Sequence, residues 1–414
     1  MGSTSVGRRA LFVALGLCLS CREASQDAES ASLAAAPPDE IVTPTLQCAR
    51  KGVEPRKSDE GLALGRGRRY YEFHLVASNA ERVSIAAINR SGQMVALADQ
   101  AVEGSSACRS FLIRPSGITP IDIAGFDCAA AVDIADSGTV LMVTEPVPAG
   151  PTPWLWKNGV ATALAGVDLA YGIAVNARDQ VVLEDRYGRA LLWDAGVVTP
   201  ILAPDGTPLM PLGLNNVGQV IAGTSDLDRT YLWQDGVATP LPFFNVIAIN
   251  DAGQVVGYFT DDAPVPPALN EINVGIWQNG ALTPFDSGRT WPMNADRDRE
   301  AHLFGLNALG DAVGEMPPRV GEDPIPFARY ADGQTDLLPI QRVGGSAIGI
   351  SEGGVIFGEQ HDVAPDTSWV NNTTTIWSRN CISGSCDRCG DGRKPGGMVV
   401  GAQLLQRSSS SARP

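Results

Sequence analysis

From about residue 85 to residue 380 the chain repeats one alternation of apolar and polar positions. A short apolar run leads into Asn-x-x-Gly-Gln, and an apolar run follows. The stretch Val246 to Tyr258 shows it, with Asn250-Asp-Ala-Gly253-Gln254 at its centre. Clear copies begin at Asn89, Asn176, Asn215 and Asn250, and weaker ones at Ala135, Asn307 and Ser351. The fourth position of the motif falls at Gly92, Gly138, Asp179, Gly218, Gly253, Gly310 and Gly354, a drifting period of about forty residues. A second half reads Leu-Trp-x-x-Gly-x-x-Thr-Pro. It occurs at Leu155-Trp156, Leu192-Trp193, Leu232-Trp233 and Ile276-Trp277, with Tyr330 replacing the tryptophan in the sixth unit and Ile376-Trp377 in the seventh. Asn and Gly supply the positive φ that tight hairpins need. Each unit therefore predicts two hairpins, or four short strands. Seven such units predict an all-β propeller of seven four-stranded blades over residues 61–385. No stretch beyond residue 60 keeps a helical apolar period without Gly or Pro.

A ring must close. The run Arg69 to Val76 reads as a strand, has no place in the first unit, and is expected to complete the last blade. The wide interval between Gly253 and Gly310 leaves room for a long connection near Asp286 to Glu300. Trp156, Trp193, Trp233, Trp277 and Trp377 recur at one blade position, which predicts packing between neighbouring sheets rather than ligand contact. Trp291 and Trp369 are off that register and are the candidates for ligand contact.

The amino terminus is of another kind. Arg8-Arg9 precede an apolar run, Ala10 to Ser20, too short for a spanning helix of about 20 residues. The run ends at Leu19-Ser20-Cys21, which resembles a bacterial lipoprotein signal whose cysteine is lipidated; a plain cleaved signal is the alternative. Residues 1–21 are read as this signal and residues 22–60 as a flexible tether. Arg22, where an inner-membrane retention aspartate would sit, favours the outer membrane or cell surface. A periplasmic or extracellular protein is the other address. Residues 386–414 read as a Cys/Gly/Ser-rich tail. Besides Cys18 and Cys21 there are Cys48, Cys108, Cys128, Cys381, Cys386 and Cys389. In an exported chain these are disulfide candidates, with Cys108–Cys128 the natural local pair and Cys48–Cys381 a bridge between the ends of the ring. Cys386 and Cys389 have no second such pair or histidine beside them, so no metal is expected there.

The two half-motifs resemble the HAF-repeat family of bacterial extracellular proteins over about residues 85–380. The His-Ala-Phe that names the family is missing; Thr230-Tyr231 precede Leu232-Trp233. The resemblance implies the fold and export, and carries no general activity. The short run Cys389-Gly-Asp-Gly392 is similar to the start of Cys-rich repeats in myxobacterial surface proteins.

Composition narrows the partners. Apolar residues at 44% and charged residues at 19% exclude a wholly disordered chain. A net charge of −15 argues against nucleic acid and anionic membranes, leaving a lipid anchor as the only membrane attachment. Only three histidines occur, His74, His302 and His361, and no local catalytic signature accompanies them. The run Asn294 to Glu300 alternates oxygen ligands but carries two arginines and lacks the spacing of a calcium loop; it reads as a solvated loop, as do Asp226, Asp228, Asp261 and Asp262. No catalytic residue, metal or cofactor is assigned. The expectation is a monomeric, non-enzymatic propeller that binds a protein or glycan through its loops. The rival is a propeller polysaccharide lyase or glycosidase with carboxylates around the central channel. Carboxylates meeting a His or Tyr in one channel mouth would favour the rival.

Overall fold

The computed structural model describes residues 43–53, 70–76, 82–102, 105–144, 150–167, 169–226, 229–260, 272–284, 302–316, 323–342, 344–362 and 371–379. Within them every regular element is a strand. The strands form seven antiparallel sheets, six of four strands and one of five. The first strands of blades 1 to 7 are Arg82–Ile88, Ala129–Ile134, Ala170–Val175, Met210–Leu214, Asn245–Ile249, His302–Leu306 and Gly344–Ile350. Each touches the next, and the seventh touches the first, so the sheets close a ring around a central channel. This is a seven-bladed β-propeller.

Closure follows the sequence expectation. Tyr70–Val76 pairs with Asn371–Ser378, the last strand among the described residues, with Glu72 opposite Trp377. The strand Thr45–Val53 was not foreseen. It pairs with Tyr70–Val76 and makes blade 7 five-stranded, inside the segment that composition assigns to a tether. Its polar, positively charged sequence carries no repeat motif, so the alternation that revealed the blades is silent there.

Hydrophobic burial holds the ring at the seams between blades. Trp156 packs with Val95, Leu112 and Ile121 of blade 1. Trp233 packs with Val182, Leu192 and Ile201 of blade 3, and Trp277 with Ile221, Leu232 and Leu241 of blade 4. Trp377 is fully buried against Ala328, Tyr330 and Leu338 of blade 6, and its Nε1 donates to Pro339 O at 2.7 Å. Each recurrent tryptophan thus leans on the preceding sheet, as its register predicts. The Thr-Pro pairs that end the outer strands at Pro120, Pro200, Pro240 and Pro284 place a residue with no N–H on the exposed edge, which discourages pairing with another chain.

The two faces of the disc are built differently. On one, the turns between first and second strands are residues 89–93, 135–139, 176–180, 215–219, 250–254, 307–311 and 351–355, five residues in every blade. The turns between third and fourth strands lie on the same face, since Gln180 Nε2 donates to Asp194 Oδ2 at 2.8 Å and Gln278 Nε2 to Ala252 O at 2.9 Å. Four of them, at Asn158-Gly159, Ala195-Gly196, Asp235-Gly236 and Asn279-Gly280, have positive φ at both central residues. On the opposite face the connections range from residues 103–104 to residues 285–301. We call these the turn face and the loop face.

Candidate functional site

The Asn-x-x-Gly-Gln motif does two jobs. Asn215 Oδ1 accepts the Gln219 N–H at 2.8 Å, and its Nδ2 donates to Gln219 Oε1 at 2.7 Å, which closes the turn. The same Nδ2 donates to Asn250 O of the next blade at 3.0 Å. Asn89, Asn176, Asn250 and Asn307 repeat this, reaching Ala135 O, Asn215 O, Asn307 O and Ser351 O. All five are buried. Five of seven seams therefore carry an asparagine latch. Blades 2 and 7 have Ala135 and Ser351 at that position and cannot make it.

Charged groups stand at both gaps. The residue after the latch position lines the channel mouth in every blade but the third. There Arg90 Nε lies 2.9 Å from Glu352 Oε1 and 3.4 Å from Asp136 Oδ2, and its Nη2 pairs with Asp251 across the ring. Asn216 Nδ2 donates to Asp136 Oδ2 at 2.8 Å and Asp251 Oδ2 at 2.9 Å. Asp136 and Asp251 also accept the main-chain N–H of Arg90 and Asn216, at 2.7 and 2.8 Å. This clasp joins blades 1, 2, 4, 5 and 7. It rims a polar cavity of about 180 Å³ lined by Asn89, Asn215, Asn250 and Asn307.

At the second gap Asp133 enters the same cavity. Every first strand carries a β-bulge, and the residue after it is Ala87, Ala174, Gly213, Ala248, Gly305 or Gly349 in the other six blades. In blade 2 it is Asp133. Asp133 Oδ2 accepts the Val175 N–H of blade 3 at 2.8 Å, so a carboxylate bridges the seam that lacks the amide. Burial pushes its carboxyl up to about 6, against the lowering effect of the N–H bonds from Val175 and Ile134; the Asp136 charge adds to the rise. Asp179 secures the same seam from the other side. It replaces the motif glycine at φ 60° and accepts from Thr139 Oγ1 at 2.6 Å, with Lys157 Nζ 3.2 Å away. Burial pushes Asp179 up, but the Thr139, Lys157 and Ser137 contacts outweigh it and hold it below the usual range.

At the loop face the chemistry differs. All three histidines of the chain lie in blades 6 and 7, each beside a carboxylate. His302 Nδ1 is 2.9 Å from Glu315 Oε1, and Ser346 Oγ of blade 7 donates to Glu315. His74 Nε2 is 3.2 Å from Glu72 Oε1, and His361 Nε2 is 3.7 Å from Asp323 Oδ1. Three carboxylates thus meet at the turn-face mouth with an arginine and an asparagine, while His302 stands at the other face. Among the described residues no cluster of three or more His, Cys, Asp or Glu side chains is arranged to hold a metal ion.

The sequence candidates divide sharply. Cys108 and Cys128 are joined in a disulfide that ties blade 1 to the strand entry of blade 2. Cys48 falls in the strand Thr45–Val53 opposite Phe73. Cys21, Trp291, Trp369, Cys381, Cys386 and Cys389 lie outside the described residues, as do Asn294 to Glu300, Asp228, Asp261 and Asp262. Asp133 and the Arg90 clasp were not anticipated. The signal was available: a charged residue at a bulge position that is Ala or Gly in the other six units, and a charge after the latch position in four of the seven.

No family model matches the chain, and no curated protein matches it in sequence. Solved structures similar to it include the β-propeller domain of the Trilobed protease from Pyrococcus furiosus, at 8% identity and a TM-score of 0.49 over 70% of this chain and 95% of that one. Virginiamycin B lyase from Staphylococcus aureus matches at 14% identity and a TM-score of 0.46, over 75% and 99% of the two chains. Pyrococcus horikoshii acylaminoacyl peptidase matches at 11% identity and 0.49, over 71% and 51%.

Proposed function

We propose that the chain is an exported HAF-repeat protein, held at the cell envelope by a lipid on Cys21, that serves as a non-enzymatic binding or scaffold module. It takes a protein or glycan on its loop face. The observation that carries this reading is the condition of the turn-face mouth. Its carboxylates are engaged by Arg90, Asn216 and main-chain N–H groups that tie the blades together, so they serve the ring rather than a reacting substrate. The connections between second and third strands and from blade to blade, which vary in length, belong to the other face. The Cys108–Cys128 bridge supports an oxidising compartment. Two measurements test the proposal. Cys21→Ser should release the protein from the membrane fraction; unchanged membrane association contradicts the anchor. Capture of envelope proteins or immobilised glycans by the mature chain should survive Asp251→Asn and fail on loop-face substitution; the reverse contradicts the assignment of faces.

The enzymatic reading has one observation on its side. The Glu315 carboxylate lies against Nδ1 of the part-exposed His302 ring, an arrangement that orients an imidazole for proton transfer. Its partners argue for structure, because Ser346 is bonded to Glu315 and not to the imidazole. Loss of a measured hydrolytic or eliminating activity on His302→Gln, with the melting temperature unchanged, would establish it.

A further inference from the structure

We infer that the loop-face mouth of the central channel is a binding site for a neutral sugar, whose C–H face rests on Phe304 and whose hydroxyls are met by Asn245, His302, Ser346 and Ser84. The inference rests on the binding-module reading above and names the place and the chemistry of the ligand.

The β-bulges divide the channel. In every first strand the pairing skips one residue: Ala86, Val132, Ile173, Leu212, Ile247 and Ile348 in six blades, and Phe304 in blade 6. Each of these residues is half-buried, and the residue before each is buried. The first strands are innermost, so the solvent that the skipped residues meet is the channel. They form an apolar girdle. The turn-face cavity is lined by none of them and lies on one side of the girdle. On the other side, toward the loop face, stand the residues two places before the bulge.

Two observations single out one side of that mouth. The first is Phe304. The six aliphatic girdle residues each pack against the core of a seam. Phe304 joins no such core among the described residues; its ring neighbour is His302, 6.4 Å away and tilted by 57°. An aromatic ring left out of the core in a row of aliphatics is surface for a ligand, and its π face suits the C–H face of a pyranose. The second is a polar arc. Two places before the bulge, blades 2, 3 and 4 carry Ala130, Tyr171 and Met210, while the consecutive blades 5, 6, 7 and 1 carry Asn245, His302, Ser346 and Ser84. Ser84 is 6% exposed, and its hydroxyl has no hydrogen-bond partner among the described residues. A buried hydroxyl in that state costs stability unless a group from outside the fold meets it.

Charge decides what fits. The charged groups of this mouth are paired: His302 Nδ1 with Glu315 at 2.9 Å, Arg82 Nη2 with Glu359 at 3.0 Å, and His361 Nε2 with Asp323 at 3.7 Å. Across the mouth Glu184, opposite Tyr171, is pushed up by burial and by the Asp185 charge, toward its neutral form. A charged ligand would have to break one of these pairs. A neutral one uses the hydroxyl, amide and imidazole groups and leaves the pairs intact. A few polar groups around an apolar floor is the make-up of a small-molecule site. A neutral ligand with an apolar face and hydroxyls at its edge is a hexopyranose.

The test uses the full chain in titration calorimetry. The neutral probes are hexamers of β-1,4-glucose, α-1,4-glucose and β-1,4-N-acetylglucosamine. The charged probes are the deacetylated, cationic form of the last and a hexamer of α-1,4-galacturonate. A neutral hexamer should bind, and both charged hexamers should bind more weakly. Phe304→Ala should weaken the neutral hexamer roughly tenfold. Ser84→Ala should weaken it about fivefold while raising the melting temperature of the free protein, because the unpartnered hydroxyl is gone. Asp251→Asn, on the turn face, should leave binding unchanged. No binding of any neutral hexamer overturns the proposal, as does tighter binding of either charged one, or neutral binding that either loop-face variant keeps. If Phe304→Ala keeps it, the sugar sits elsewhere on the loop face and the binding-module reading survives. Cleavage of a bound hexamer, lost in His302→Gln, keeps the site and overturns the non-enzymatic reading.

Discussion

The turn face and the loop face are made by the same strands and obey different rules. On the turn face every first hairpin has five residues, and an amide or a charge in each crosses to a neighbouring blade. On the loop face the connections vary in length from blade to blade. The difference teaches that regularity here marks the chassis. A ring of seven sheets must fix seven seams at once, so the face that fixes them tolerates little variation. The other face is free to differ from blade to blade.

The comparison can be broken most severely at a seam. Trp233→Ala removes a buried ring that joins blades 3 and 4 and is expected to cost about 3–5 kcal/mol. Tyr187→Ala, on the loop face, is expected to stay within about 0.5 kcal/mol of wild type. Parallel thermal or denaturant melts decide between them, and equal losses would refute the division. Trp291→Ala belongs with Tyr187→Ala on the sequence argument.

A smaller loss should follow from the latch. Asn215→Ala removes the Nδ2 donor to Asn250 O, which keeps only the Gly253 N–H, and leaves Gln219 N without its acceptor, at an expected cost of about 2–3 kcal/mol. Asn216→Ala, one residue on and part-exposed in the clasp, should cost about 1 kcal/mol. A ratio near one would mean that the inter-blade bond of Asn215 contributes nothing.

Acidity sharpens the contrast at the blade 2–3 seam. Asp133 rises from an ordinary 3.8 to about 6, so the folded protein holds that proton more tightly than the unfolded chain. Its contribution to stability is complete below about pH 4 and is lost as pH rises through 6, for a total of up to about 3 kcal/mol. Asp179, held low, acts oppositely: its contribution is present above its unfolded value and is lost as pH falls through its lower folded one. Melting temperature should therefore climb as the pH is lowered from 7 to 5, and Asp133→Asn should flatten that climb. A wild-type profile that falls over the same interval contradicts the assignment.

On the turn face a small effect is expected for Arg90→Ala. The side chain is about half exposed, so its ion pairs are screened, and a loss of about 1 kcal/mol, shrinking in high salt, is anticipated.

Much of this was legible in the sequence for a physical reason. Hairpin turns need Asn and Gly at fixed offsets, and repetition multiplies a weak local signal into blades, a blade count and the closing role of Tyr70–Val76. The tryptophans were readable as packing because they kept register. The strand Thr45–Val53 was not, because it belongs to no repeat. The second bond of each latch asparagine was hidden because it is made to another blade: the motif explains the turn fully without it. Asp133 was hidden by the opposite fault, a departure from the repeat in a strand that otherwise fits it. Tyr187 sits in a connection outside both half-motifs.

Native-state hydrogen exchange of the full chain tests most directly whether the turn face is the chassis. The main-chain amides of Asn215, Asn216, Gly218, Gln219, Asn250, Gly253 and Gln254 are hydrogen-bonded in turns that the latches tie to the next blade. These peptides should exchange at the slowest rate of the molecule and slow together with the buried strands, while peptides over 186–189 exchange orders of magnitude faster. Turn-face peptides that exchange as fast as 186–189 would contradict the account.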